Sequence, residues 1–216
     1  MTRFRDRRAA GDELAGALVA AGYDGSDGDT IVLGLPRGGV PVAARVAARL
    51  AAPLDVLLVR KLGVPGHEEL AMGAIAAGGI RVLNDDVVAT SRVSDDAVAR
   101  AVESQQRLLD ERARTYRDDR PPPDVTGRTV IVVDDGLATG ASMRAAVAAL
   151  RTQDPARIVV AVPVGAPSTC ADLRTTDGVD DVVCVVTPAS FLAVGYWYDD
   201  FRETSDDDVR AALAGR

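Results

Sequence analysis

The chain has 216 residues, 47% of them hydrophobic but only 4% aromatic, so its length suits one α/β domain whose core is built mostly from Ala, Val, Leu and Ile. A net charge of −7 and a pI near 4.8 argue against a nucleic-acid partner or an anionic membrane, both of which select basic surfaces, but leave room for an anionic small molecule in a local basic pocket. No run approaches the ~20 apolar residues of a membrane span, and the expected location is the cytoplasm.

Residues 5–21 place Leu14, Ala17, Leu18 and Ala21 at helical spacing. Arg7-Arg8 before an Ala-rich run faintly echoes an export signal, but Asp12 and Glu13 interrupt it and favour an amphipathic helix. A polar turn at Gly25–Asp29 leads into a first buried strand, Thr30–Leu35. Pro36-Arg37-Gly38-Gly39 breaks that strand, and Val40–Leu50 reads as a helix with Pro41 tolerated in its first turn. Leu54–Val59 is a second strand, so the unit is strand–helix–strand with parallel strands.

Arg60–Gly73 is rich in glycine and charge and is expected to be a mobile loop. Ala74–Ala76 and Ile80–Leu83 flank Gly78-Gly79 as a hairpin. Residues 94–116 form a long amphipathic helix with Val98, Val102, Leu108 and Leu109 on its apolar face, a surface suited to a homodimer contact. After the stiff Pro121–Pro123 connector come strand 129–134, helix 140–151, strand 157–163, helix 167–174, strand 181–186, an aromatic segment 188–201 and a helix near 205–214. About five strands alternating with helices predict a doubly wound parallel sheet. The expected organisation is one domain over 1–216, with a core near 30–186, an inserted helical segment near 84–120 and a closing segment from 187. Cys170 and Cys184 have no metal-ligand spacing, and two reduced thiols are the plain expectation, with a disulfide between them open.

Ligands of such sheets bind outside the carboxyl ends of the strands. Three loops leave those ends: Pro36–Gly39, Arg60–Gly73 and Asp135–Gly140. The most informative is the run from Val130 to Met143, in which four β-formers deliver Asp134 and Asp135 and a Gly136–Ser142 turn then opens a helix. Paired carboxylates accept hydrogen bonds from vicinal hydroxyls, with or without Mg²⁺, and free N–H groups at a helix start favour a phosphate.

This segment resembles the phosphoribosyl-pyrophosphate (PRPP) signature of type I phosphoribosyltransferases, two acids followed by x-x-x-Thr-Gly-x-Ser/Thr. The resemblance implies that Asp134 and Asp135 hold the ribose hydroxyls. Gly136, Ala138, Thr139, Gly140, Ala141 and Ser142 would cradle the 5′-phosphate, with Mg²⁺ carried mainly by PRPP and in contact with Asp134 or Asp135. Leu35–Gly39 is similar to the family's pyrophosphate loop, with Gly38 and Gly39 allowing close backbone approach and Arg37 offering a guanidinium. Arg60 and Lys61, the only lysine of the chain, are two cations suited to a leaving pyrophosphate. Leu62–Met72 occupies the place of the family's closing loop, where His67 could contact pyrophosphate, act as an acid or simply be solvated, with lesser candidates in Glu68 and Glu69.

Phe191, Ala193, Tyr196, Trp197 and Asp199 lie in a segment similar to the base-covering hood of hypoxanthine-guanine phosphoribosyltransferases, with one extra residue before Gly195. A hydrophobic lid packing the last helix fits the same residues. Two departures argue against an oxopurine acceptor: Ala138 stands where that group keeps an acid, and Pro163-Val164-Gly165 lacks its lysine. Over its whole length the chain looks most like a group of predicted bacterial phosphoribosyltransferases. They share Phe-Arg-Asp-Arg near the start, Leu-Pro-Arg-Gly-Gly-Val-Pro-Val-Ala, Val-Arg-Lys-Leu-Gly-Val-Pro-Gly, and Val-Gly-x-Trp-Tyr-x-x-Phe. The expected reaction is transfer of phosphoribose from PRPP to a nitrogenous acceptor such as a nucleobase, with loss of pyrophosphate. The alternative is a non-catalytic sensor of PRPP or a nucleotide on the same fold.

Overall fold

The computed structural model describes residues 3–26, 28–117, 120–176 and 178–215. Five parallel strands form the main sheet: β1 (Thr30–Gly34), β2 (Leu54–Val56), β6 (Thr129–Val133), β7 (Arg157–Val164) and β8 (Asp181–Val186). Their spatial order is β2-β1-β6-β7-β8. β1 and β6 pair in register from Thr30 opposite Thr129 to Gly34 opposite Val133, so both strands end at the same level.

The strands are apolar throughout because both faces of the sheet are covered. Val32, Ile131, Val133, Val159 and Ala161 point into a cluster with Leu14 and Leu18 of α1 (Arg7–Ala20), Val40 and Val46 of α2 (Gly39–Leu50), and Val209 of α7 (Asp206–Ala214). Their neighbours Ile31, Leu33, Val130, Val132, Ile158 and Val160 point the other way. There they meet Met143, Val147 and Leu150 of α5 (Ala141–Arg151) and Leu173 of α6 (Pro167–Arg174). The side-chain period of two thus divides each strand between two cores.

Two expectations for the middle of the chain change. The second strand stops at Val56, and Val59 begins a separate antiparallel sheet of β3 (Val59–Val64), β4 (His67–Ala76) and β5 (Ile80–Leu83). The stretch expected as a mobile loop is therefore a β-ribbon, turned at Pro65-Gly66 and irregular in register around Gly63. Its polar residues are those of an exposed ribbon end: His67 to Leu70 face solvent, whereas Met72, Ala74 and Ile75 are buried. The expected hairpin around Gly78-Gly79 forms as β4–β5. A short helix, α3 (Asp85–Thr90), falls within the segment 84–120 expected to be helical and starts at Asn84, whose side chain accepts from Val87 N–H at 3.1 Å.

The inserted helix α4 runs from Asp95 to Arg117. Its buried stripe passes through Val98, Val102, Leu109 and Tyr116, while Leu108, expected on that face, is exposed. At its end Arg117 is 3% exposed and donates from Nε to Asp55 Oδ1 at 3.0 Å, with a second bond from Nη2 to the Val56 carbonyl. This buried pair fixes α4 to β2. Both cysteines are free.

Removing one member of a buried ion pair leaves the other charge uncompensated. Arg117→Leu is therefore expected to lower unfolding free energy by about 3–5 kcal/mol, measured by urea denaturation; a loss near that of a surface arginine would contradict the role assigned to the pair.

Candidate functional site

After β1 the chain turns to one side of the sheet, and β6 starts the other side, so the strand order reverses between these two neighbours. An α/β sheet takes its ligand outside the carboxyl ends of its strands at such a reversal. The loops leaving β1 and β6 are Leu35–Gly38 and Asp134–Gly140.

These loops touch. A side-chain carbon on Gly38 would fall 2.0 Å from Asp135 Oδ2, and one on Gly39 would fall 2.6 Å from the Val133 carbonyl and 2.8 Å from Asp134 Cα. No larger residue fits at either position without moving the acid pair. The Pro36–Arg37 peptide between the strand and these glycines is cis.

Asp134 Oδ1 accepts from the Asp135 N–H at 2.8 Å. Asp135 Oδ2 accepts from Arg7 Nε at 2.9 Å, and the Tyr198 hydroxyl donates to the Asp135 carbonyl at 2.5 Å. Burial, reinforced by the Asp135 charge, holds the Asp134 carboxyl well above the ordinary carboxylate range. Burial also raises Asp135, and the Arg7 guanidinium opposes that rise.

The following loop is held from behind. Leu137 N–H donates to the Val164 carbonyl at 2.9 Å, and Thr169 Oγ1 donates to the Ala138 carbonyl at 2.6 Å. Gly140 takes a left-handed conformation and α5 begins with no side-chain cap, so apart from that of Ala141, which donates to Thr139 Oγ1 at 3.5 Å, its first-turn N–H groups are available to an anion. Ala138, Thr139, Ala141 and Ser142 are exposed at this turn.

Beside the two loops lies a cavity of about 340 Å³, walled by Pro36, Arg60, Lys61, Leu109, Arg112 and Ser142 among others. Arg60 and Lys61 reach it from within β3, not from the end of the second strand as expected. Arg60 Nε donates to Gln105 Oε1 at 2.5 Å, and Lys61 Nζ lies 3.6 Å from Glu69 Oε2. Arg37 is placed differently: it pairs with Glu203 and lies 3.9 Å from Asp206 Oδ1, beside α7. His67 is exposed where the ribbon turns and does not line this cavity. Among the described residues no three His, Cys, Asp or Glu gather round one point. A Mg²⁺ ion at this site would have at most the carboxylates of Asp134 and Asp135 as protein ligands, which suits a cation that binds oxygen and would neutralise charge on a bound phosphate.

The aromatic segment differs from expectation. Trp197 is 6% exposed and packs with Phe4, Val164 and Tyr198, so its ring is core and is not free to stack on a base. The reason is backbone pairing: Phe4 N–H donates to the Trp197 carbonyl at 2.8 Å, and Asp199 N–H donates to the Phe4 carbonyl at 2.9 Å. The lid therefore closes on the start of the chain. Phe191 packs half-buried on this cluster, Asp199 lies 3.4 Å from Arg3 Nε, and Ala193 and Tyr196 remain exposed. A side-chain carbon on Gly136 would meet Val194 at 2.4 Å, so the segment sits directly on the acid-pair loop.

Three residues left out of the expected site enter its surroundings: Arg7, Tyr198 and Arg112. The first two lie in the Phe-Arg-Asp-Arg and Trp-Tyr motifs, which the sequence offers only as likenesses. Arg112 had a signal of its own, a charge on the apolar stripe of α4.

A carboxyl whose folded-state pKa is raised binds protons more tightly when folded. Its favourable contribution is complete below the ordinary value of 3.8 and is lost as pH rises through the raised value. Asp134→Asn keeps the oxygen that accepts from Asp135 and removes the charge. It should melt at higher temperature than the wild type at about pH 8, with the gap closing towards about pH 4. Equal melting temperatures at both pH values would contradict the assigned burial cost.

Residues 5–189 match the phosphoribosyl transferase domain family. Two Mycobacterium tuberculosis proteins, each named "Putative phosphoribosyl transferase", are 49% identical over 214 residues, covering 99% of this chain and 47% of each relative. The chain thus spans about half the length of these two curated relatives. A Chloroflexus aurantiacus protein named Bifunctional protein PyrR is 33% identical over 168 residues, 67% of this chain and 86% of that protein. The crystal structure of a Thermus thermophilus protein superposes with a TM-score of 0.88 at 46% identity over 99% of both chains. With its five-stranded parallel sheet and the paired loops at the β1–β6 crevice, the chain belongs to the phosphoribosyl transferase family.

Proposed function

We propose that this chain is a PRPP-dependent phosphoribosyltransferase, a single domain working in the cytoplasm. It transfers 5-phosphoribose to a nitrogenous acceptor and releases pyrophosphate. The observation that carries this reading is the contact between the two loops: Gly38 and Gly39 pack against Asp134 and Asp135 at the point where the strand order reverses. Acid pair, open helix start and cationic cavity then lie in sequence around one crevice, as the parts of PRPP require.

In this reading the ribose 2′- and 3′-hydroxyls donate to the carboxylates of Asp134 and Asp135, and the N–H groups of Thr139 to Ser142 take the 5′-phosphate. The pyrophosphate lies against Gly38-Gly39, Arg60 and Lys61. The acceptor nitrogen forms a bond to C1 as the bond from C1 to the pyrophosphate oxygen breaks and its electrons leave with the pyrophosphate. The transition state is oxocarbenium-like, so the chain's contribution is to hold C1 and acceptor in line and to stabilise the charge of the departing group. Mg²⁺, when bound, supplies further neutralisation of that charge. The β3–β4 ribbon, which carries Lys61, shields the reacting centre from water that would otherwise hydrolyse PRPP. Ala193 and Tyr196, exposed on the lid, are candidates for the acceptor's surroundings. Ala138 in place of an acid disfavours the oxopurines.

Isothermal titration with PRPP and Mg²⁺ tests the site. The wild type should bind, and Asp134→Asn with Asp135→Asn should weaken binding at least about a hundredfold, the loss of two charge-assisted contacts. Absence of binding by the wild type would sink the proposal. Pyrophosphate release is then assayed across nucleobases and small amines. Binding without release for every acceptor would favour a PRPP sensor on the same fold.

A further inference from the structure

We propose that α4 is the third wall of the leaving-group pocket and that Arg112 on it binds the pyrophosphate directly, an inference that rests on the phosphoribosyltransferase reading. The argument starts from a pattern in the helix. Val98, Val102, Gln105, Leu109, Arg112 and Tyr116 recur at alternating steps of four and three, which places all six on one face. Four of them pack into the protein, with Leu109 and Tyr116 at 1% and 4% exposure. The other two, Gln105 and Arg112, are polar side chains on an apolar stripe. Each lies about one turn from Leu109, on either side of it, and Leu109 itself lines the 340 Å³ cavity.

Gln105 is accounted for, since its Oε1 accepts from Arg60 Nε at 2.5 Å and so aims the Arg60 guanidinium. Arg112 has no ion pair or hydrogen bond among the described residues, yet it lines the same cavity as Arg60 and Lys61. Burial, and after it the nearness of Arg112, lowers the pKa of Arg60, so the two guanidiniums repel one another. No described carboxylate lines the cavity. Among the described residues the only acid paired with any of the three cations is Glu69, whose own side chain is fully exposed. Three cations converging on a cavity without a counter-acid cost free energy in the empty protein, and a bound polyanion removes that cost. Ser142, from the first turn of α5, also lines the cavity, so the cavity borders the turn proposed to hold the 5′-phosphate. An anion held there with two or more negative charges and connected to a ribose in the crevice has the chemistry of pyrophosphate. Arg112, exposed at the mouth, can take it bidentately, whereas a lysine could neutralise it only as a point charge.

The test is calorimetric titration of the wild type, Arg112→Gln and Arg112→Lys with Mg²⁺–pyrophosphate, PRPP and ribose 5-phosphate. Because Arg112 is exposed and repels Arg60, Arg112→Gln should melt at or slightly above the wild-type temperature and Arg112→Lys close to it. Arg112→Gln should weaken pyrophosphate and PRPP by about tenfold to a hundredfold, Arg112→Lys should recover part of this, and ribose 5-phosphate should bind all three proteins equally. Pyrophosphate binding that Arg112→Gln leaves unchanged would overturn the inference while the phosphoribosyltransferase reading stands. So would an equal loss for ribose 5-phosphate, which would make Arg112 a structural residue. A wild type that binds no pyrophosphate also overturns it. Pyrophosphate binding that depends on Arg112 in a protein indifferent to PRPP would support the anion pocket and overturn the proposed function.

Discussion

Two adjacent carboxylates at the end of a buried strand are the constraint around which the molecule is arranged. Asp134 and Asp135 follow β6 where both faces of the sheet are packed, so neither reaches bulk water freely. Like charges in such a place are tolerated only with a counter-charge and hydrogen bonds. Arg7 supplies the charge, and its guanidinium is itself placed by the Phe201 ring, 4.1 Å away, and by the Arg202 carbonyl at 2.6 Å. The start of the chain and the segment near residue 200 meet at Asp135 for this reason. The small cluster of Phe4, Trp197 and Tyr198 is the packing that the ion pair draws together.

Opposite charges are kept apart across the crevice. The acids lie on the β6 side, and Arg60, Lys61 and Arg112 gather on the side of β3 and α4. Arg7 is committed to Asp135, and Arg37 to Glu203 and Asp206, so neither group neutralises the other across the gap. A ligand with hydroxyls at one end and phosphates at the other would meet complementary chemistry at each, so a net charge of −7 is compatible with the polyanionic substrate proposed.

The parts of the molecule that the sequence made legible are those governed by local rules. The five strands are runs of β-branched and aliphatic residues bounded by Gly, Pro and Asp, and β1, β6 and β7 lie within a residue or so of their expected bounds. The acid pair and the glycine loop were visible because each must keep particular residues in a particular order. What was missed depends on partners far along the chain. The β3–β4 ribbon has the composition of a loop because its outer half is solvated, and only its packing on α4 and α5 makes it a sheet. Trp197 looked like a base-stacking residue because aromatic content says nothing about which surface covers it, here the cluster with Phe4, Val164 and Tyr198.

The stripe on α4 shows where a stricter reading of periodicity would have gone further. Counting Leu108 with Leu109 gave an apolar face two residues wide and hid the exact alternation of four and three. Once Leu108 is assigned to solvent, Gln105 and Arg112 stand out as polar residues on a face that otherwise packs inward. Gln105 is partnered by Arg60, whose Nε donates to its Oε1 at 2.5 Å. Arg112 is exposed and has no hydrogen bond or ion pair among the described residues, and what sets it apart is the cavity that it shares with Arg60 and Lys61.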